Sequence, residues 1–440
     1  MVDVRPGDFI RVVKKGGLVV EGVVLPSTEF TSEKHLVVKL SNGYNIGISL
    51  DDAVIEVLAE KYTKPVVSEE FREMSIVRGS GSLKIGFVST GGTIVSKVEY
   101  ETGAVKPALS ASDLVEFAPD FRELSSELVV VDFMRKLSEN MTPEDWSHIS
   151  EEVGRHLKAG VDGVVVAHGT DTMSYTAAAL AFSLRNLGNP VLLVGAQRSS
   201  DRPSTDALYN LKACPIVVRD APFAEVAVVM HGTTDDLYAL VHRGVRVRKM
   251  HSSRRDAFQS INDIPLARVY IRERRFELLN RRFLPRTRSS DIYVLNKFSN
   301  KVSVVKSYPG IDCEIFDYLA DRGYRGVVIE GTGLGHVREE CVESIKRATD
   351  SGVVVAMATQ TIFGRVDLDV YTTGRKLLKA GVVPVDDMVP EVAFVKLSWL
   401  LGNFPEDGPA EIKLKLVSNM ANEIGNSQSL EVFPRWYHGD

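Results

Sequence analysis

Cysteine is scarce in this 440-residue chain: there are three, Cys214, Cys313 and Cys341, odd in number and far apart. Such spacing supports neither a disulfide framework nor a zinc site, and it points to a reducing cytoplasm. Long apolar runs are missing too, and nothing approaches the ~20 residues a membrane-spanning helix needs. The opening, MVDVRPGDFI, has no apolar core of signal-peptide length, so secretion by that route is not expected. Nucleotide motifs are absent or wrongly spaced. There is no G-x-x-x-x-G-K-[ST], and Gly331-Thr332-Gly333-Leu334-Gly335 reads G-x-G-x-G, not G-x-G-x-x-G. No His/Glu cluster has zincin spacing, so no metal is expected.

What is present is globular. Hydrophobic residues make up 44% and charged residues 25%, which excludes wholesale disorder and fibrous repeats. At roughly 150 residues per domain the length predicts about three domains. The net charge of −5 hides an asymmetry. The 46 residues from Arg243 to Arg288 hold fourteen Lys/Arg and four acids, a balance of +10 that leaves −15 for the rest. Dense cationic charge can steer a polyanion such as RNA. The alternative is a hairpin whose arginines pair with acids elsewhere.

Residues 1–60 read as a small all-β barrel of the SH3 or Sm-like kind, a docking module. DFIRVVKK and LVVEGVVL alternate around Gly16-Gly17, and HLVVKL meets YNIGISL across Asn42-Gly43. Residues 61–82 read as a linker with one short element. From Leu83 the texture changes to short apolar strands alternating with helices: KIGFVS, DGVVVAHG, NPVLLVGA, EVAVVMHG. Near-continuous Val/Ile means strands buried on both faces, hence a mostly parallel sheet covered by helices. This first α/β domain spans 83–285. A connector at 286–297 leads to a second α/β domain at 298–440, carrying RGVVIEG and SGVVVAMA.

Ligands in open α/β sheets sit beyond the carboxyl ends of the strands. Three strand ends in a row carry hydroxyls, glycines and carboxylates: Thr90-Gly91-Gly92-Thr93, His168-Gly169-Thr170-Asp171-Thr172, and Ala196-Gln197-Arg198-Ser199-Ser200-Asp201. Threonines beside an aspartate suit hydroxyl nucleophilic catalysis, provided a base takes the hydroxyl proton, and a neutral lysine can do so. Lys249, crowded by Arg246 and Arg248, is the candidate. Read on spacing alone it is one more surface lysine. Thr170 would equally serve as a helix cap.

TGGTI (90–94) and HGTDTM (168–173), each following a strand, resemble the two signature motifs of the type I/II L-asparaginase family. SENMTPEDW, VGAQRSSDRPSTDALYNL and ATQTIFGRVDLDVY extend the resemblance over some four-fifths of the chain. It implies an asparaginase-like pair of α/β domains, usually in intimate dimers. Carried over by motif, Thr90 is the nucleophile, with Gly91 and Thr93 at the substrate. Thr170, Asp171 and Lys249 form the group that activates the attack or the hydrolytic water. Tyr100, in VEYETGAV, matches the mobile-loop tyrosine that closes the site, or is an ordinary surface aromatic. Ser138 and Glu139 align with the pair that holds the substrate's α-carboxylate and α-amine, although the commoner bacterial enzymes have Gln where Glu139 stands. Asp171 also contacts the α-ammonium.

The 80-residue extension and the basic segment resemble the archaeal glutamyl-tRNA(Gln) amidotransferases, which contain an asparaginase-like glutaminase subunit. That resemblance implies a chain that binds no cofactor itself, hydrolyses glutamine and passes ammonia to a partner, the E subunit. This partner would use ATP and Mg2+ on Glu-tRNA(Gln) to make Gln-tRNA(Gln). The resemblance further implies a homodimer within a cytoplasmic hetero-oligomer, a heterotetramer, reaching tRNA(Gln) through the complex. The alternatives are a free-standing L-asparaginase with an accessory barrel and a non-catalytic RNA-binding or scaffold protein.

Overall fold

Alternating burial gives way to continuous burial along the chain, and the architecture follows that change. The computed structural model describes residues 4–26, 34–40, 44–59, 73–92, 96–98, 105–107, 119–199, 204–289, 291–426 and 432–433. The N-terminal unit is a five-stranded antiparallel sheet of Phe9–Lys14, Val19–Val24, His35–Leu40, Asn45–Ser49 and Ala53–Ala59, with the fifth strand beside the first. Val19–Val24 shows every second side chain to solvent, and the inward set meets in a core of Ile10, Val12, Val20, Val24, Val38 and Ile48. Gly17 turns the first hairpin with φ +83°, a conformation that glycine adopts without strain. The Asn42-Gly43 turn lies outside the described residues.

The segment read as a linker contains a strand of the next domain. Glu73–Arg78 pairs antiparallel with Ser125–Lys136 and forms one edge of a nine-stranded sheet. At the centre of that sheet five strands run parallel, in the order Ser125–Lys136, Leu83–Gly91, Gly163–Ala167, Val191–Val194, Val226–His231. Every residue of the last three is buried, as the Val-rich pattern requires. Ala239–Arg243, Ala267–Tyr270 and Arg275–Leu278 extend the other edge antiparallel. The first parallel strand leads to a neighbour on one side and the third lies on its other side. The strand order therefore reverses between Leu83–Gly91 and Gly163–Ala167.

The C-terminal unit is a smaller parallel sheet of Val302–Lys306, Gly326–Gly331, Val354–Thr359 and Val383–Pro384. Its helix Pro390–Asn403 packs on Met173–Ser183 of the larger domain, with Phe182 stacked on Trp399 at 6.0 Å. Both helices are buried nearly all round, because each is covered on two sides.

One expectation from the sequence is overturned here. Cys313 and Cys341 form a disulfide, their Cα atoms 4.7 Å apart. Cys313 stands just before helix Glu314–Asp321 and Cys341 opens helix Cys341–Asp350, so two packed helix starts meet across 28 residues of chain. Spacing along the sequence carries no sign of that meeting. Cys214 is free and buried, which pushes its thiol pKa up. Cysteine usage thus no longer argues for a reducing compartment. Among the described residues no helix is long and apolar enough to cross a membrane.

Candidate active site

The strand-order reversal is where ligands are expected, just past the carboxyl ends of the two adjacent strands. Thr90 is the penultimate residue of the first strand and His168 to Thr172 follow the second. The turns there approach one another more closely than side chains would allow. Gly91 and Gly92 have φ of +106° and +80°. A Cβ on Gly92 would lie 2.3 Å from the Gly169 backbone, and one on Gly169 would lie 2.7 Å from Ser138 Oγ. Glycine at these positions lets the 90–92, 138 and 168–169 segments converge.

Two features fix Ser138. It opens a single 3-10 turn, Ser138–Asn140, whose Ser138 carbonyl accepts from Thr172 Oγ1 at 2.7 Å. The next helix, Pro143–Lys158, begins with a capping box in which Thr142 and Asp145 satisfy each other's backbone N–H. Burial works against ionising Asp145, but hydrogen bonds from Lys136 and Thr142 prevail and hold its pKa below the ordinary value. The TPED spelling carried that signal in the sequence. Ser138 itself is buried and Glu139 is exposed.

The structure brings Thr170, Asp171 and Lys249 together from positions some 80 residues apart. Lys249 Nζ donates to Thr170 Oγ1 at 3.0 Å and to Asp171 Oδ1 at 2.6 Å. Thr170 is buried and the Lys249 side chain is 12% exposed, whereas that of Asp171 is 64% exposed. The group is therefore an inner hydroxyl–amine pair with its carboxylate at the open face. Such a set can relay a proton to or from a reacting hydroxyl or water.

Thr90 stands apart from that relay. It is fully buried, and its hydroxyl donates to the Ala167 carbonyl at 2.9 Å. Gly91 shares its strand end, whereas Thr93 and Tyr100 lie outside the described residues.

Two motif residues given no chemical role do scaffolding work. His168 is neutral, since burial pushes its pKa down to about 4. Its Nδ1 faces the Gly169 carbonyl at 2.7 Å, which places the proton there and leaves Nε2 to accept from Thr176 Oγ1 at 2.9 Å. The buried Asp206 carboxylate accepts the backbone N–H of Gln197 at 3.0 Å and of Arg198 at 3.0 Å, shaping the third strand end. Among the described residues no three His, Cys, Asp or Glu side chains gather as a metal site.

The basic segment is largely neutralised within the chain. Arg243 pairs with Glu225 and Asp263, Arg246 with Asp387, Arg248 with Glu391, Arg255 with Asp236, and Arg274 with Asp120 and Glu123. Pairing with acids elsewhere is thus the arrangement found for these arginines.

Comparison with known proteins bears on the family and the fold. Residues 4–58 match the GatD N-terminal domain, 84–282 the N-terminal asparaginase domain and 301–413 the glutaminase/asparaginase C-terminal domain. A Saccharolobus islandicus protein, named as the D subunit of glutamyl-tRNA(Gln) amidotransferase, is 48% identical over 436 residues, 99% of this chain and 96% of its own. The chain belongs to that D-subunit family. A member from Sulfolobus acidocaldarius is also 48% identical, over 98% of this chain and 94% of its own. Among solved structures, the Thermococcus kodakarensis thermostable L-asparaginase superposes with a TM-score of 0.69 at 32% identity, over 78% of this chain and all of that one. L-asparaginase I from Vibrio cholerae gives 0.67 at 29% identity, over 78% and 99%. The D-subunit family thus keeps the asparaginase fold and adds the N-terminal unit to it.

Proposed function

We propose that this chain is the glutamine-hydrolysing component of a tRNA-dependent amidotransferase that converts Glu-tRNA(Gln) to Gln-tRNA(Gln). The observation that carries the reading is the Lys249 amine held 3.0 Å from Thr170 Oγ1 and 2.6 Å from Asp171 at the strand-order reversal. The likeness to named D subunits along nearly the whole chain, N-terminal unit included, favours a glutaminase component over a free-standing asparaginase or a non-catalytic scaffold.

In this reading Thr90 Oγ attacks the side-chain amide carbon of glutamine, its proton passing to the Thr170–Lys249 relay. To do so its hydroxyl leaves the Ala167 carbonyl as substrate enters. Tyr100 closes over that step, with Gly91 and Thr93 at the substrate. The tetrahedral adduct expels the nitrogen as ammonia once it is protonated. Water activated by the same relay then cleaves the Thr90 ester and frees glutamate. Ser138 and Glu139 hold the substrate's α-groups, and the exposed Asp171 carboxylate meets its α-ammonium.

The ammonia passes to the E subunit, which activates the glutamyl carboxylate with ATP and Mg2+. The assembly is a homodimer of this chain within a cytoplasmic hetero-oligomer, engaging tRNA(Gln) through the complex. The test is ammonia release from glutamine and from asparagine, with and without the E subunit and Glu-tRNA, using Thr90→Ala as the blank. Glutamine turnover that rises on adding both partners is expected. Fast asparagine turnover indifferent to them would instead assign a free-standing asparaginase.

A further inference from the structure

Lys249 sits on a strand that the main sheet does not hold. Val247–Lys249 pairs with Phe258–Ser260 alone, in a two-stranded hairpin apart from the nine-stranded sheet. Val247, Ala257 and Phe258 tuck against the core of the larger domain. Apolar packing of this kind sets which face turns inward but is non-directional. Something else must fix the hairpin along its own length, to the fraction of an ångström that a 3.0 Å hydrogen bond requires.

The larger domain touches the hairpin's base through His242 Nδ1 at 2.8 Å from Ser260 Oγ and the Arg246 N–H on the Arg243 carbonyl at 2.9 Å, but most of the side-chain polar contacts there come from the other domain. Arg246, three residues before Lys249, is fully buried. Its Nη1 lies 3.0 Å from Asp387 Oδ2 and 3.1 Å from the Asp387 carbonyl, and its Nη2 donates to Asp387 Oδ1 at 3.2 Å. Its Nε donates to the Asn422 carbonyl at 3.2 Å. Asp387 is held in turn by the Gly425 N–H at 2.9 Å. Just past the returning strand, Ile261 N–H donates to the Arg246 carbonyl at 2.7 Å. The next residue, Asn262, donates to the carbonyls of Asp387 at 3.0 Å and Gly364 at 2.9 Å, and accepts the Gly364 N–H at 3.0 Å. Arg248 adds an ion pair to Glu391 at 3.1 Å. Both legs of the hairpin are thus tied to residues 364–425, while Lys249 reaches back to Thr170 and Asp171 in the larger domain.

We propose that Arg246 is a positioning residue for Lys249: clamped on Asp387 and seconded by Asn262, it makes the C-terminal domain the gauge that sets the amine against Thr170 and Asp171. Arginine suits the task, because its planar fork fixes direction as well as distance where a lysine fixes only a charge. Misplacing a reacting group by about 1 Å costs up to about a hundredfold in rate. The kinetic part of this proposal rests on the glutaminase reading; the structural part does not.

The test uses the full-length chain with three variants. Arg246→Lys keeps the charge and loses the fork, and Asn262→Ala is a milder cut at the same joint should Arg246→Lys fold poorly. Cys341→Ala removes the disulfide from the same C-terminal domain at a place remote from the hairpin, and controls for general loosening. For the first two, kcat per folded molecule should fall about 10- to 100-fold with KM within about threefold, the mark of lost alignment rather than lost binding. The control should lower the melting temperature and leave kcat alone. Equal kcat losses in all three, or none in the first two, would overturn the proposal. A crystal structure of Asn262→Ala supplies a readout free of any assumed substrate. Lys249 Nζ should be displaced from Thr170 Oγ1, and an unchanged 3.0 Å contact would sink the idea even if the wild-type chain hydrolyses no amide.

Discussion

At the scale of single residues, the Lys249 contacts make a sharp prediction. Lys249→Met keeps the length of the side chain and removes the amine, so glutamine turnover should fall about 10²- to 10⁴-fold. Glutamine affinity by calorimetry should change little, since the amine faces Thr170 and Asp171. A variant that turns over at the wild-type rate would remove Lys249 from the chemistry.

Buried histidines make a second prediction, about pH. Burial holds His168 down to about 4 and His242 down to about 3, both below the ordinary 6.5. An unfolded chain takes up these protons near pH 6.5, and the folded chain refuses them until far lower. The stability they confer is therefore complete above that pH and drains away between it and about 3 to 4. Urea titrations at about pH 7 and about pH 4.5 should show the loss, and His242→Gln should lose less over the same interval. Equal losses would mean that His242 does not titrate this way.

At the scale of elements, Glu73–Arg78 matters more than its sequence announces. It covers one edge of the nine-stranded sheet, hydrogen-bonded to Ser125–Lys136. A chain starting at residue 73 should keep a melting temperature near that of the full asparaginase-like body. One starting at 83 bares the Ser125–Lys136 edge and should melt lower or aggregate, as unpaired edges do. Matching melting curves would show that the strand contributes nothing.

The same element shows what a sequence does and does not reveal. The parallel strands are legible because burial on both faces writes itself as unbroken Val and Ile. The N-terminal strands are legible because burial on one face writes itself as alternation. EMSIVR is short, follows a charged stretch and lies on an edge, so tertiary pairing decides its state. The site divides in a similar way. Thr90, Thr170 and Asp171 stand at or just past strand ends and can be located from pattern alone. Nothing in RVRKMHSS separates Lys249 from its cationic neighbours, because what marks it is a contact with residues some 80 positions earlier. Gly92, Gly169 and Asp206 fall within recognisable motifs, but the segments they bring together do not show there, because close approaches between segments leave no local pattern.

On the scale of the whole molecule, the basic stretch changes meaning once folded. Residues 243–288 look like a polyanion footprint when counted, yet Arg243, Arg246 and Arg248 reach acids at 225, 387 and 391. Their positive charge ties the chain to itself, so only the exposed remainder of the segment is left to face a partner. Salt should accordingly loosen the buried Arg243–Glu225 and Arg246–Asp387 pairs little, screening mainly the more exposed ones.

The Cys313–Cys341 bond closes a loop around the strand Gly326–Gly331. By chain entropy such a closure is worth about 3–4 kcal/mol, so treating the native chain with a strong reductant should lower its melting point by several degrees. This bears on how the protein is prepared. Made in a host whose cytosol keeps thiols reduced, the polypeptide would leave the cell heavier by two hydrogens and softer to heat, while its catalytic rim stayed intact. Two batches of one sequence would then disagree about heat tolerance and agree about rate. Intact mass, recorded before any melting curve, would tell them apart.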